Sequence, residues 1–366
     1  MKTVLLFGST GAVGTGCLDI LTRRGDLSLV IAGRDKARLR DVASAVQADV
    51  EMVALDVTDV AAVSAAAAGC DVVVNCAGPS QRLSAKVAGA AIAAGVPYVD
   101  PGGDHALLDR LAAAAPAVPV VLQAGVQPGL SGLLLRVLAL HHADKIDGLT
   151  AWCGGLQYLT PASVLEYLAS LQDTRSHPGA ALRGGVIRRV GRDECKPAPA
   201  EYFPDSVTVH PHLDAETVAV AEHLGIGDIC WMNVFDGVHT TRAMQLLAVD
   251  DERPLDLGSV QAAAKLDLFG RRPYFAIVTS ARGGAVGSRS VAFTCPDSYR
   301  VTGALAAFAA QRIADMPAGA QAFWSIGEPR RVLEFLTEAV PEAEVSFADD
   351  SATANPQLTL MDEGSL

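Results

Sequence analysis

Apolar runs of three to six residues punctuate the first third of the chain at regular intervals. They fall at Thr3–Phe7, Leu27–Ala32, Glu51–Leu55, Val72–Asn75, Pro97–Val99 and Val118–Leu122. Several are continuously apolar, as strands are when a parallel sheet is covered on both faces. Ala-rich stretches of helical spacing lie between them, at Gly14–Arg24, Lys36–Gln47, Val60–Ala68, Arg82–Ala94 and His105–Ala114. Strands alternating with helices predict βαβ units and a doubly wound parallel sheet.

The pattern changes after about Pro128. A long apolar helix, Leu130–His141, leads away. Strands are expected at Leu149–Gly154, Gly185–Val190, Asp228–Phe235, Tyr274–Ser280 and Ser290–Thr294, and helices at Ala162–Gln172, Asp214–Leu224, Thr240–Leu247, Gly258–Leu268, Tyr299–Asp315 and Pro329–Ala339. The stretch from Gly179 to His212 has prolines and glycines and reads as an irregular insertion. The fold class is therefore α/β, an N-terminal Rossmann domain over 1–128 followed by a second α/β (α+β) domain over 129–315 that serves substrate binding or dimerisation. A segment at 316–348 is expected to return to the first domain, and an acidic tail at 349–366 to be disordered.

Composition narrows the class. The 366 residues are 50% hydrophobic and 19% charged, enough for a large core. A net charge of -12 argues against nucleic-acid or anionic-membrane partners, which need surplus Lys and Arg. Seven cysteines without a C-x-x-C pair read as reduced thiols in a cytoplasmic protein. No stretch reads as a membrane span, since Arg136 interrupts the best candidate, Leu130–Leu140. His210 and His212 lack a third ligand at a sensible spacing, so no metal is expected.

The sharpest local signal is Gly8-Ser9-Thr10-Gly11-Ala12-Val13-Gly14, between the first strand and the first helix. Gly8 allows a tight turn, Gly11 lets backbone approach a pyrophosphate, and Gly14 lets the helix pack on the strand. Free amides at the helix start would then bind phosphate. An NAD site presents a carboxylate at the end of the second strand; here Ala32-Gly33 leads into Arg34, with Lys36 and Arg38 nearby. Arginine suits a 2′-phosphate, so NADP is favoured over NAD. Asp35 reads as a helix cap. Asp56-Val57 ends the third strand, where a carboxylate could meet adenine. Asn75 ends the fourth, and Cys76-Ala77-Gly78-Pro79 follow as small residues beside the nicotinamide ribose.

These residues, with Gly95-Val96-Pro97-Tyr98-Val99-Asp100 and Gly125-Val126-Gln127-Pro128-Gly129, occur in an order that resembles saccharopine dehydrogenase (reductase)-like proteins. The resemblance covers the first 140 residues and continues weakly at Asp297-Ser298-Tyr299-Arg300. It implies an NADP- or NAD-linked oxidoreductase, often dimeric, that forms or cleaves a secondary amine through an imine. The chain departs from the reductases proper, whose D-P-G-x-D-H pattern is replaced at Gln127, Ser131 and Gly132. A changed substrate is therefore expected.

Hydride transfer needs the cofactor, a positioned substrate and a proton. The Tyr-x-x-x-Lys pair of short-chain dehydrogenases is absent. Tyr98 and Asp100 alternate at the end of the fifth strand and are the catalytic candidates, although Asp100 also suits a turn at Pro101-Gly102. Gln127, Pro128, Gly129, His239 and Arg242 are the substrate-binding candidates, the arginine suiting a carboxylate. Trp152, Tyr158 and Trp231 line a pocket or fill the core. The alternatives are an enoyl reductase acting on a thioester or lipid-like substrate, and a non-catalytic NADP(H) sensor.

Overall fold

The computed structural model describes residues 2–46, 48–142, 146–249, 256–283 and 288–349. The N-terminal unit runs β1 (Lys2–Phe7), α1 (Ala12–Thr22), β2 (Leu27–Gly33), α2 (Lys36–Ala45), β3 (Val50–Ala54), α3 (Val60–Ala67), β4 (Val72–Asn75), α4 (Ser80–Ala93), β5 (Tyr98–Val99), α5 (His105–Ala114) and β6 (Pro119–Leu122). The alternation of apolar runs and helices is thus realised almost residue for residue. The expected acidic tail beyond Asp349 lies outside the described residues, as does Gln47.

Helix α6 (Leu130–His142) leads into the second unit: β7 (Gly148–Leu156), α7 (Pro161–Gln172), β8 (His177–Pro178), β9 (Ala180–Arg183), β10 (Val186–Arg189), β11 (Thr208–Leu213), α8 (Ala215–Leu224), β12 (Ile229–Phe235), α9 (Val238–Val249), α10 (Leu257–Leu268), β13 (Tyr274–Arg282) and β14 (Ser288–Cys295). The chain ends with α11 (Ser298–Arg312), β15 (Gly319–Ala322), α12 (Pro329–Ala339) and β16 (Glu344–Asp349).

The first sheet has seven strands, ordered β15-β6-β5-β4-β1-β2-β3, and every pairing is parallel. Strand order reverses between β1 and β4, which opens a crevice at their carboxyl ends. The second sheet is mixed, with main path β10-β9-β12-β7-β13-β14-β16 and β11 added on β12. Segment 316–348 gives a strand to each sheet, and α11 packs along α1, so the late chain holds both units together.

The strand expected at Gly185–Val190 is present as β10, but the reading of Gly179 to His212 as an irregular insertion needs correcting. That stretch holds three strands, β9 and β10 forming a hairpin and β11 pairing antiparallel with β12. Gly184 and Gly185 take φ of 57° and 76°, the pair of positive angles that a two-residue hairpin turn requires. All four residues of β10 are exposed. Trp152 and Trp231 are core residues at 6% and 0% exposure, whereas Tyr158 lies on the surface.

Candidate functional site

A cleft of about 1760 Å³ runs from the carboxyl ends of the first sheet to the second sheet and helix α7. One of its ends is built by the glycine loop. Gly8 adopts φ +77°, and a Cβ there would lie 2.4 Å from the Cys76 carbonyl carbon. A Cβ on Gly14 would stand 2.1 Å from the Gly8 oxygen. Both positions are closed to any side chain. Gly11 differs: its nearest neighbour to a Cβ is the Gly8 oxygen at 3.4 Å, and the position opens onto the cleft. Gly11 caps α1 with no side-chain hydrogen bond and no acidic residue in the first turn, so the leading amides keep their positive end for a ligand. This geometry fits a dinucleotide pyrophosphate.

Gly8, Thr10, Gly11, Ala12 and Val13 all line the cleft, while Ser9 and Gly14 are buried behind it. Arg34 lines it too, but Lys36 is exposed and lies outside the wall. Arg38, one turn on, takes the place expected of Lys36 and donates from Nη2 to the Thr10 carbonyl at 3.3 Å. Asp35 caps α2, accepting from the amides of Ala37 and Arg38. Asp56 and Val57 reach the wall, and hydrogen bonds from the Thr58 amide and hydroxyl hold the Asp56 carboxyl below its ordinary range. Cys76, Ala77, Gly78 and Pro79 complete this side.

Asp100 is 2% exposed yet contributes to the wall. Its Oδ2 accepts from the Tyr98 hydroxyl at 2.5 Å and from Asn75 Nδ2 at 2.9 Å, and its Oδ1 from the Gly102 amide at 2.7 Å. Burial pushes its carboxyl upward against those three donors. Tyr98 is fully buried and does not reach the cleft; burial and the facing carboxyl raise its hydroxyl as well. The pair predicted to share one side of the strand does so, and it ties β4, β5 and the following loop together.

Beyond β6, Gln127 and Pro128 line the cleft, and Gly129 is buried just behind. Gly129 instead donates its amide to Glu216 Oε1 at 2.6 Å, and the Ser131 hydroxyl donates to Oε2 of the same carboxylate. Glu216 is fully buried in the first turn of α8, and desolvation, helped by Asp214, pushes its carboxyl up to about 8. His239 and Arg242 sit exposed on α9, and neither belongs to the cleft wall.

Three features escaped the sequence. Glu166 on α7 crosses to the start of α4, accepting from the Ser80 amide at 2.5 Å, the Ser80 hydroxyl at 2.7 Å and Gln81 Nε2 at 2.7 Å. Asp214 and Glu216 open α8, a helix to which the sequence assigned no role in the site. Gln123, 1% exposed at φ +61°, donates from Nε2 to the Gly103 carbonyl at 3.2 Å, and the same nitrogen lies 3.1 Å from His105 Nδ1. Because that nitrogen can only donate, His105 Nδ1 must accept, which places the imidazole proton on Nε2. Burial holds this imidazole below its ordinary range, hence neutral near pH 7. No helix among the described residues is long and apolar enough to cross a membrane.

Residues 4–121 match the family described as saccharopine dehydrogenase NADP binding domain. No match was found among curated protein sequences. Among solved structures, apo saccharopine dehydrogenase (L-Glu forming) from Saccharomyces cerevisiae aligns with 95% of this chain and 100% of its own, at 16% identity and a TM-score of 0.66, which shows the fold. A putative exported protein from Burkholderia pseudomallei aligns over 28% of this chain and 48% of its own, at 31% identity and a TM-score of 0.23. Serine dehydrogenase from Escherichia coli aligns over 28% of this chain and 62% of its own, at 17% identity and a TM-score of 0.25.

Proposed function

We propose, for a chain whose N-terminal domain belongs to the saccharopine dehydrogenase NADP-binding family, an NADPH-dependent reductase acting on the C=N bond of a small molecule, or the reverse oxidation of a secondary amine. The observation that carries this reading is the continuity of the cleft. The same cavity that holds the glycine loop extends to Gln127, Asp214 and Asn233 of the second unit, leaving room beyond a dinucleotide for a second molecule.

In this reading the amides opening α1 hold the pyrophosphate, and Arg34 with Arg38 holds the 2′-phosphate. When bound, NADPH supplies the hydride. The small residues Cys76 to Pro79 leave space for the nicotinamide ribose. Asp100 acts as a positioning residue: every donor around it is spent on fixing the loops after β4 and β5, and Tyr98 holds it there. His105, in the cleft wall, offers the Nε2–H of a neutral imidazole as a hydrogen-bond donor that orients the substrate, while the C=N group takes the hydride in its iminium form, whose nitrogen already carries the proton of the amine product.

The test is NADPH oxidation followed at 340 nm against a panel of cyclic imines and of amine–carbonyl pairs. Turnover with imines and none with thioester-linked enoyl substrates supports the reading. NADPH binding with no turnover on any panel member would instead favour an NADP(H) sensor. An Asp100→Asn variant should lose both NADPH affinity and turnover, by at least tenfold, with the same pH dependence as the wild type. Loss of turnover alone, together with a displaced pH profile, would return Asp100 to the role of proton donor.

A further inference from the structure

The cleft wall is divided by charge. Its arginines and lysine, Arg34, Arg38, Arg82 and Lys86, all come from residues 34–86, at the dinucleotide end. From residue 100 onward the described lining residues include seven acidic side chains, of which Glu216 is held protonated by burial, and no Lys or Arg. A site for a dicarboxylate or keto acid would place a guanidinium or ammonium there.

Asp214 and Asp173, both from the second unit, keep an oxygen for a ligand, as does Asp104 at the start of α5, which uses only Oδ1. Asp214 caps α8 through Oδ1, which accepts from the Thr217 amide at 2.7 Å; Oδ2 meets only Gln127 Nε2, at 3.4 Å. Asp173 Oδ1 accepts from the Arg175 amide at 2.9 Å, and its second oxygen has no hydrogen-bond partner among the described residues. Arg175 is outside the wall and turned to Asp109 on α5, and Arg271, also outside it, is paired with the wall residue Asp236. His105 and His212 share this end, and burial lowers both, so neither brings positive charge at neutral pH.

A second, independent observation comes from Gln123. Its side chain is 99% buried in the wall of the same cleft, its Nε2 is committed as described, and its Oε1 accepts from nothing among the described residues. An orphaned buried acceptor calls for a donor. Free carboxylate oxygens and a free amide oxygen ask for the same chemistry, an N–H-bearing cation.

We propose that the second-domain end of the cleft binds its substrate as a protonated amine, with Asp214 and Asp173 as the charge partners and Gln123 as an N–H acceptor. This rests on the reading of the cleft as a reductase site, and it names the substrate class as cationic amines and their iminium forms, not carboxylate-bearing acids. It also accounts for Arg242 standing away from the cleft.

The experiment is calorimetric titration of the full chain, with and without NADP+, using three probes of equal length: 1,5-diaminopentane, 1,5-pentanediol and glutarate. The diamine should saturate at least tenfold more tightly than the diol, glutarate should give no saturable heat, and added salt should weaken the diamine. The double variant D173N/D214N should lower diamine affinity at least tenfold while NADP+ affinity stays within twofold, because asparagine keeps the N-cap that Asp214 gives α8 and can accept from the Arg175 amide as Asp173 does. Saturable glutarate binding, absence of diamine binding, or diamine binding indifferent to the double variant would each overturn the proposal. Failure of NADP+ to bind the wild type would count against the reductase reading alone, since the titration without NADP+ still decides this one.

Discussion

Arg34 and Arg38 enter the cleft from one turn of α2 and its lead-in, and their charge is what should distinguish NADPH from NADH. Replacing Arg34 with alanine should weaken NADPH by about 1–3 kcal/mol, the scale of a hydrogen bond to a charged group, and leave NADH nearly unchanged. Parallel fluorescence titrations with the two nucleotides read this directly, and equal losses would remove the 2′-phosphate contact. Glu216 gives a second residue-scale prediction. Its carboxyl is raised from its ordinary 4.5 to about 8, so the folded state keeps a proton there that the unfolded chain has lost. Stability should therefore fall as pH rises from about 4.5 to about 8 and level off above, by roughly 1.4 kcal/mol for each pH step of one between those limits. Urea unfolding across this range should show the decline in the wild type and a flatter profile in Glu216→Gln. The places of the glycine loop, Arg34, Asp56 and the Asn75–Pro79 run in the cleft wall were readable beforehand, because each depends on residue type at a fixed place after a strand. Glu216, Gln123 and Glu166 were not, since each matters through a partner 20 to 87 residues away that no local spacing reveals.

At the scale of elements, α1 and α11 approach unusually closely. A Cβ on Gly303 would lie 2.5 Å from both the Cys17 amide nitrogen and the Val13 carbonyl oxygen, and one on Gly16 would lie 3.1 Å from the Arg300 Cα. Backbone therefore packs on backbone, and Gly303→Ala must push the helices apart. A loss of about 1–3 kcal/mol in unfolding free energy is expected, the usual scale for overpacking. Because α1 also carries the phosphate-facing amides, NADPH affinity should drop with it; thermal melts with and without NADPH would report both. An unchanged melting temperature would contradict the contact. Nothing in the Ala-rich pattern of α11 announced this partner. Strand β15 was equally silent, four residues from Gly319 to Ala322, whereas β16, Glu-Val-Ser-Phe-Ala-Asp, carries the two-residue alternation of a half-buried strand without the continuous apolar run of the central ones. Continuous apolar runs betray central strands, and edges lack them.

Over the whole molecule, the two sheets face one cleft, and the late chain links them by adding β15 to the first and β16 to the second. Glu166 makes a further bridge, placing its carboxylate on the first amide of α4, a helix with no side-chain cap of its own. Its removal in Glu166→Ala should increase hydrogen exchange at the first turn of α4 and in α7, while the rest of the first sheet keeps its protection. Unchanged exchange in both helices would mean that the bridge holds nothing. The function assigned to the cleft depends on the amides at the start of α1 receiving the NADP pyrophosphate. Calorimetric titration of NADPH into the wild type and Gly11→Ala probes this contact itself, because the added methyl meets no protein atom nearer than 3.4 Å and stands where the phosphates would lie. Saturable binding to the wild type and at least a tenfold loss in a fully folded Gly11→Ala are expected; equal affinity in the two proteins, or none in either, would mean that α1 does not hold the dinucleotide.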